Sequence, residues 1–329
     1  MRRERRQFVA VAAGTAAGLA VAWPSIKPRH RVSYLKPRSR VAVLEATAYS
    51  GKLEQILIEG LKLFNLDLRG RSVLLKPNLV EHLPNRPINT HPLLVGAAAS
   101  CFLRLGAKRV VVGEGPGHER DTEIVVSEAG FEKELRDRGV EFIDLNRDQL
   151  IEVKLKANYS GLHHLWLPRT ALASDFVVSI PKIKMHHWAG VTLSLKNMFG
   201  VVPGMKYGWP KNVLHWHGIH ESILDICATL PIHFVIADGI VAMEGNGPLQ
   251  GTARELHRIV LADDPVAADA TCARLMGLDP RQVKHIATGQ AFLGNLDPDR
   301  ISLLAGTVAR PDRPFAVLPE FHDLLDRRA

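Results

Sequence analysis

From Val41 onward, short apolar runs alternate with longer stretches in which apolar residues recur every three or four positions. Short runs bounded by turn residues mark buried strands, and the longer period marks amphipathic helices. On this reading Val41–Leu44 is a strand. Leu53–Phe64 is a helix with Leu53, Ile56, Leu57, Leu61 and Phe64 on one face. Val73–Leu75 is a strand ending in Lys76-Pro77-Asn78, and Thr90 is the expected N-cap of a helix over Leu93–Leu105 that Gly106 ends. Val110–Val112 is a strand running into Gly113-Glu114-Gly115-Pro116-Gly117, followed by one helix at about Glu123–Arg138 and a strand over Val140–Leu145.

The second half continues the alternation. Ile151–Leu167 reads as an inserted hairpin, and Phe176–Ile180 as a buried strand that rejoins the sheet. Val201–His217, rich in Gly and Pro, reads as a long mobile loop on the active-site side. A helix over Ile219–Thr229 feeds a strand His233–Ala237 that ends in Asp238-Gly239, and Met243–Pro248 is a turn-rich loop. A strand Arg258–Leu261 ends in Asp263-Asp264, and helices Val266–Met276 and Arg281–Thr288 follow. Strands separated by single helices imply parallel crossovers. The expected fold class is therefore α/β, a doubly wound, mainly parallel sheet with an inserted hairpin.

The N-terminus is of another kind. Arg5-Arg6-Gln7-Phe8-Val9 is a twin-arginine signature, Val9–Ala22 is a short Ala/Gly-rich apolar region, and Ala20-Val21-Ala22 is a small-residue cleavage site. The run is shorter than the roughly 20 residues a spanning helix needs. We therefore expect residues 1–22 to be a twin-arginine signal peptide, 23–40 a basic arm, 41–310 a single domain and 311–329 a tail. The expected location is periplasmic by way of the twin-arginine machinery, with the membrane touched only through the signal segment. An uncleaved signal tethering the protein to the inner membrane is the alternative.

This leader changes the meaning of the charge. The chain carries 42 Lys+Arg against 34 Asp+Glu, a net +8. Residues 1–40 hold ten of the basic residues and one acid, which leaves 32 basic against 33 acidic residues from Val41 onward. The basic excess belongs to the leader and arm, so nothing supports nucleic-acid binding by the folded part. Cys101, Cys227 and Cys272 are far apart, each within a helical apolar pattern, and without a CxxC pair no iron–sulfur cluster bound by this chain is expected.

In open α/β sheets, ligands sit beyond the carboxyl ends of the strands. Those ends here carry Lys76 and Asn78, Glu114, Lys182 and Lys184, Asp238, and Asp263 with Asp264. The densest stretch is Pro181–Gly200, PKIKMHHWAGVTLSLKNMFG, which gathers Lys182, Lys184, His186, His187, Thr192, Ser194, Lys196 and Asn197. Thr192, Ser194 and Lys196 alternate as one face of a strand lining a pocket would. Cations placed at the end of a core strand need something anionic or metallic to meet them. Lys76, Asn78, Glu114, Lys182, Lys184, Ser194, Lys196 and Asn197 are the candidate ligand-binding residues, with a carboxylate or phosphate as the expected anion. Asp238 and Glu244 are candidate acid–base residues or ligands of a divalent metal, with His186 as a third ligand or proton carrier. The glycines of Gly113–Gly117 could cradle a phosphate, although the segment lacks the third glycine of a dinucleotide fingerprint.

Four stretches carry a family resemblance: LLKPNLV at 74–80, GAKRVVVGEGPG at 106–117, SIPKIKMHHWAGVTLSLKNMFGVVPG at 179–204 and IADGIVAMEGNGPLQG at 236–251. In this order they resemble the bacterial and archaeal family called domain of unknown function 362. The resemblance runs from Val41 to about Ile286. It implies an architecture and these candidate residues but no reaction. Many relatives look like exported twin-arginine substrates and some carry a ferredoxin-type cluster domain, whose cysteines this chain lacks. Two functions remain open at this point: an exported enzyme acting on a small anionic molecule with a metal or cofactor, or a periplasmic ligand-binding or cofactor-carrier protein without chemistry.

Overall fold

A computed structural model describes residues 37–117 and 121–327. The expected signal peptide, its arginine pair and most of the basic arm lie outside the described residues.

In chain order the elements begin with β1 (Ser39–Glu45), α1 (Leu53–Lys62), β2 (Ser72–Pro77), α2 (Pro92–Arg104) and β3 (Arg109–Glu114). Then come α3 (Thr122–Glu128), α4 (Phe131–Asp137) and β4 (Glu141–Asp144), followed by a separate antiparallel hairpin of β5 (Leu150–Lys154) and β6 (His164–Pro168). After α5 (Arg169–Ala173) the chain re-enters the sheet as β7 (Phe176–Ile180) and continues as β8 (Lys182–His186) and β9 (Gly190–Thr192). Four short or medium helices follow: α6 (Ser194–Asn197), α7 (Gly204–Tyr207), α8 (Asn212–Trp216) and α9 (Ile219–Thr229). The last elements are β10 (Phe234–Glu244), β11 (Thr252–Ala262), α10 (Pro265–Leu275), α11 (Lys284–Gly289) and β12 (Ile301–Ala305).

The main sheet has the order β12-β1-β11-β10-β7-β2-β3-β4, with β8 pairing to β10 and β9 to β8. Strands β10, β7, β2, β3 and β4 are mutually parallel, and β12 is parallel to β1. Only β11 on this path runs the other way, antiparallel to both β1 and β10. Alternation along the strands divides the core in two. Val73 and Leu75 face α1, α2 and α4 through Leu57, Leu94, Phe102 and Phe131, while Leu74 and Val177 face the other layer through Ile223, Val266 and Ile286. Both faces are covered, which is the doubly wound arrangement that the alternation of strands and helices implies.

From β2 the chain steps outward to β3 and β4, then returns to β7 on the other side of β2. That reversal opens a crevice beyond Pro77 and Ile180, the usual place for a ligand in such sheets.

Several local expectations need correction. The helix expected at Glu123–Arg138 is two, because Gly130 takes φ 80° between α3 and α4. His91, not Thr90, caps α2: its side chain accepts from Leu93 N ahead of Pro92 at the first turn. The Thr90 hydroxyl instead accepts from Asn78 N and donates to the Ile180 carbonyl, tying the ends of β2 and β7. Residues 201–217 are not one long loop, since α7 and α8 lie within them. Ser194 and Lys196 do not share a strand face with Thr192, because the chain turns into α6 at Ser194. Finally, since β11 is antiparallel, Asp263 and Asp264 lie at the sheet edge away from the crevice. There they hold β1, Asp263 through Arg40 and Asp264 through the Ser39 hydroxyl.

Candidate functional site

The floor of the crevice is a buried ion pair. Lys76, at the end of β2, reaches Glu114 at the end of β3 at 2.5 Å, and neither side chain is more than 1 % exposed. Lys76 Nζ also donates to the Pro77 carbonyl and to Asn197 Oδ1, so its three hydrogens are all used. Glu114 in turn accepts from Leu79 N and Gly115 N. Burial pulls the Lys76 ammonium below the usual lysine range, and Glu114 opposes that pull. Gly200 presses against the pair, since a Cβ there would overlap Glu114 Oε1 and Lys76 Nζ.

One wall comes from the segment that follows α6. Lys211 sits at φ 71°, a left-handed conformation unusual for a side chain of its size, and is buried. Its Nζ donates to the carbonyls of Gly115, Phe199 and Gly200, which fastens the glycine turn after β3 to the segment leaving α6. The opposite wall is the β8–β9 hairpin. Lys184 is fully buried and, among the described residues, its Nζ donates to the Ile88 carbonyl alone. His186 Nδ1 accepts from Trp188 N and Ala189 N, which puts the ring proton on Nε2 and leaves that N–H as a donor without a partner among the described residues. Burial, reinforced by Lys196, holds His186 neutral, well below the usual imidazole range.

These residues line a cleft of about 160 Å³, together with Asn78, Gly117, Thr192, Lys196, Phe199 and His215. His186 and His187 stack at 5.0 Å, and Trp188 meets His215 edge-on at 4.8 Å, so aromatic rings surround the mouth. Lys196 rests over the Phe199 ring with Nζ 4.3 Å from its centre. Burial and the nearby charge of Lys76 lower its ammonium to about 7. Two buried polar atoms of the lining, Asn78 Oδ1 and Thr192 Oγ1, have no hydrogen-bond partner among the described residues. Unpaired buried polar groups are uncommon in folded proteins and point to an occupant.

The expected site residues divide. Asn78, Glu114, Lys184, His186, Lys196 and Asn197 line this cleft, and Lys76 lies directly beneath it. Lys182 and Asp238 form a second buried pair at 2.6 Å whose surroundings are a separate hollow lined by Tyr49 and His91. Lys182 Nζ donates to Asp238, to the Tyr49 hydroxyl and to the Val241 carbonyl, and Asp238 also accepts from Tyr49 and His91 N. With every group engaged, this pair locks β8 to β10. Glu244 is occupied by Arg313 and Ala316 N and anchors the tail segment near Phe315. Ser194 turns away from the cleft and donates to Asp269 of α10, which also accepts from Ser194 N and Leu195 N. Asp238, Glu244 and His186 therefore do not meet, and the metal expectation built on them fails on geometry. Among the described residues no group of three or more His, Cys, Asp or Glu side chains is placed to hold a metal ion.

Sequence reasoning missed Lys211, Thr192 as an orphaned hydroxyl, and the aromatic rim of Trp188 and His215. Five lysines gather along this edge of the sheet, and the two carboxylates among them, Glu114 and Asp238, are each paired one to one. Lys184, Lys196 and Lys211 have no carboxylate partner among the described residues.

Residues 73–274 match the family described as Domain of unknown function (DUF362). The chain belongs to that family. Every residue lining the cleft falls within the matched span of the DUF362 domain, whereas β1, β12 and the tail fall outside it. The chain is also similar to a thylakoid-associated protein of Synechocystis sp., 29% identical over 245 residues that make up 71% of each chain. Among solved structures it is similar to the lactate racemase apoprotein from Thermoanaerobacterium thermosaccharolyticum, with a TM-score of 0.41, 14% identity and 67% of this chain covered. A protein from Thermotoga maritima aligns with a TM-score of 0.35, 14% identity and 63% coverage. The chain spans about half of each of these two structures, 54% in both cases.

Proposed function

We propose that this protein binds a small anionic molecule, of the carboxylate or phosphate class, in the cleft between α6 and the β8–β9 hairpin. The observation that carries the reading is the charge imbalance of the lining: Lys184, Lys196 and Lys211 face a region whose one carboxylate among the described residues, Glu114, already belongs to Lys76. Clustered ammonium groups repel and are costly in a partly dry cleft until an anion balances them. The Thr192 hydroxyl and the His186 Nε2–H add neutral donors that an anion would accept from. At Gly117, in the same lining, the space where a side chain would stand is open.

The proposal includes the place of action. The twin-arginine signature at Arg5-Arg6 and the small-residue site at Ala20–Ala22 support export of the folded protein to the periplasm. Among the described residues no helix is long and apolar enough to cross a membrane.

The test is calorimetric titration of the purified protein with carboxylates, phosphates and their neutral analogues. Anions should bind and neutral analogues should not. Lys196→Met should weaken binding by about 1.5–3 kcal/mol, the range for a hydrogen bond to a charged group. Equal affinity for neutral analogues would remove the anion from this account.

A further inference from the structure

The lysines along this edge differ in how fully their hydrogens are engaged. An ammonium has three N–H groups. Lys76, Lys182 and Lys211 each place all three on protein acceptors, which commits them to holding the fold. Lys184 places one, on the Ile88 carbonyl. Lys196, half-buried in the cleft lining, makes no hydrogen bond or ion pair among the described residues and rests on the Phe199 ring. A lysine held against an apolar face, beside other cations and without acceptors, is in the setting that frees an amine lone pair for attack on carbon.

We propose that Lys196 is an amine nucleophile that condenses with the carbonyl carbon of a small 2-oxo acid, a reading that rests on the anion site proposed above. The cleft, at about 160 Å³, is below the range of pockets for drug-sized ligands and suits a molecule of a few heavy atoms. Its lining offers both things a 2-oxo acid needs. The carboxylate has donors in the Thr192 hydroxyl, the His186 Nε2–H and the uncommitted hydrogens of Lys184. The adjacent carbonyl has the amine.

The step balances without an oxidant or reductant. The Nζ lone pair of neutral Lys196 forms the C–N bond as the carbonyl π pair moves to oxygen, giving a carbinolamine after proton transfer. The oxygen then leaves as water, carrying two hydrogens that were on the amine, and a C=N bond remains. Burial and the neighbouring Lys76 bring the amine to about 7, so a useful fraction is neutral near neutrality without a separate base.

The experiment uses the full chain with pyruvate as probe and propionate, which lacks the keto group, as control. Each is incubated with sodium cyanoborohydride and mapped by peptide mass spectrometry, and binding of both acids is followed by calorimetry. We expect a reduced adduct with pyruvate on the peptide carrying Lys196, none with propionate, and loss of the adduct in Lys196→Arg. If both acids bind but the wild-type adduct is absent from Lys196, or is spread equally over surface lysines, the imine is overturned and the anion site stands. If neither acid binds, the anion site falls for carboxylates and the imine falls with it. The mapping is made on the wild-type protein, so a variant that fails to fold does not rescue the inference.

Discussion

Asn197 grips Lys76 at both ends: its Nδ2 donates to the Lys76 carbonyl while its Oδ1 accepts from the Lys76 ammonium. The two residues are 121 positions apart, and the contact joins the end of β2 to α6. It also fixes the register of Lys196, the preceding residue, at the cleft. Asn197→Ala would leave the buried Lys76 ammonium one acceptor short and take the amide donor from the Lys76 carbonyl. The expected cost is about 1–3 kcal/mol of stability, measured by urea unfolding. An unchanged midpoint would mean that water replaces the amide.

Thr192 separates ligand binding from folding. Its hydroxyl is buried without a partner among the described residues, so Thr192→Val removes an unsatisfied group at nearly constant shape. The protein should be as stable as before, or more so, while affinity for the anion falls by about 0.5–1.5 kcal/mol. Thermal unfolding and calorimetry on one variant check both signs. A destabilised protein with unaltered affinity would show that Thr192 serves the fold.

Asp238 should behave in the opposite way. Asp238→Asn leaves Lys182 charged and buried with its carboxylate gone, which costs about 3–5 kcal/mol for a broken buried pair. Affinity for the anion should stay close to that of the parent, because Lys182 borders a different hollow and neither residue lines the cleft. Loss of binding in a still-folded Asp238→Asn protein would return Asp238 to the site.

The lowered Lys196 ammonium links both stability and binding to pH. Below about 7 it is charged in the folded and unfolded chains alike. Between about 7 and about 10.4 the unfolded chain holds a proton that the folded one lacks, so this group makes stability rise with pH across that window. One such proton contributes a slope of up to about 1.4 kcal/mol per pH unit, which Lys196→Met should remove. An anion without a carbonyl, such as propionate, favours the charged form and should draw a proton from the buffer above about pH 7. Titrations in buffers of different ionisation enthalpy read that uptake directly, and a value of zero would place the anion away from Lys196.

Export is tested separately. Arg5→Lys together with Arg6→Lys should hold the precursor in the cytoplasm, because the pathway reads the arginine pair. Fractionation of the native host decides it, and periplasmic double mutant would end the twin-arginine account.

The strands and major helices were legible because their apolar residues follow the periods of buried strands and one-sided helices. Val73–Leu75 and Phe176–Ile180 needed no tertiary information. The β8–β9 hairpin was not legible, because Lys182, Lys184 and His186 occupy positions that a pattern of hydrophobicity reads as exposed, yet all three are buried. The start of α6 depends on Asp269, 75 residues away, accepting from Ser194, and no local signal announces such a partner. The direction of β11 leaves no trace in its composition, so Asp263 and Asp264 looked like part of the site. Clustering basic residues near the strand ends found the cleft, but spacing alone could not show which of them spend their hydrogens on the fold.

The single antiparallel strand has a consequence for how the molecule presents itself. Because β1 and β10 both oppose β11, β1 starts at the edge of the sheet away from the cleft, where Ser39 and Arg40 are held by Asp264 and Asp263. Anything attached ahead of β1 joins the domain at its rear. The aromatic mouth around Trp188 lies at the opposite end, so what enters the fold at Ser39 and what enters the cleft approach the sheet from different sides.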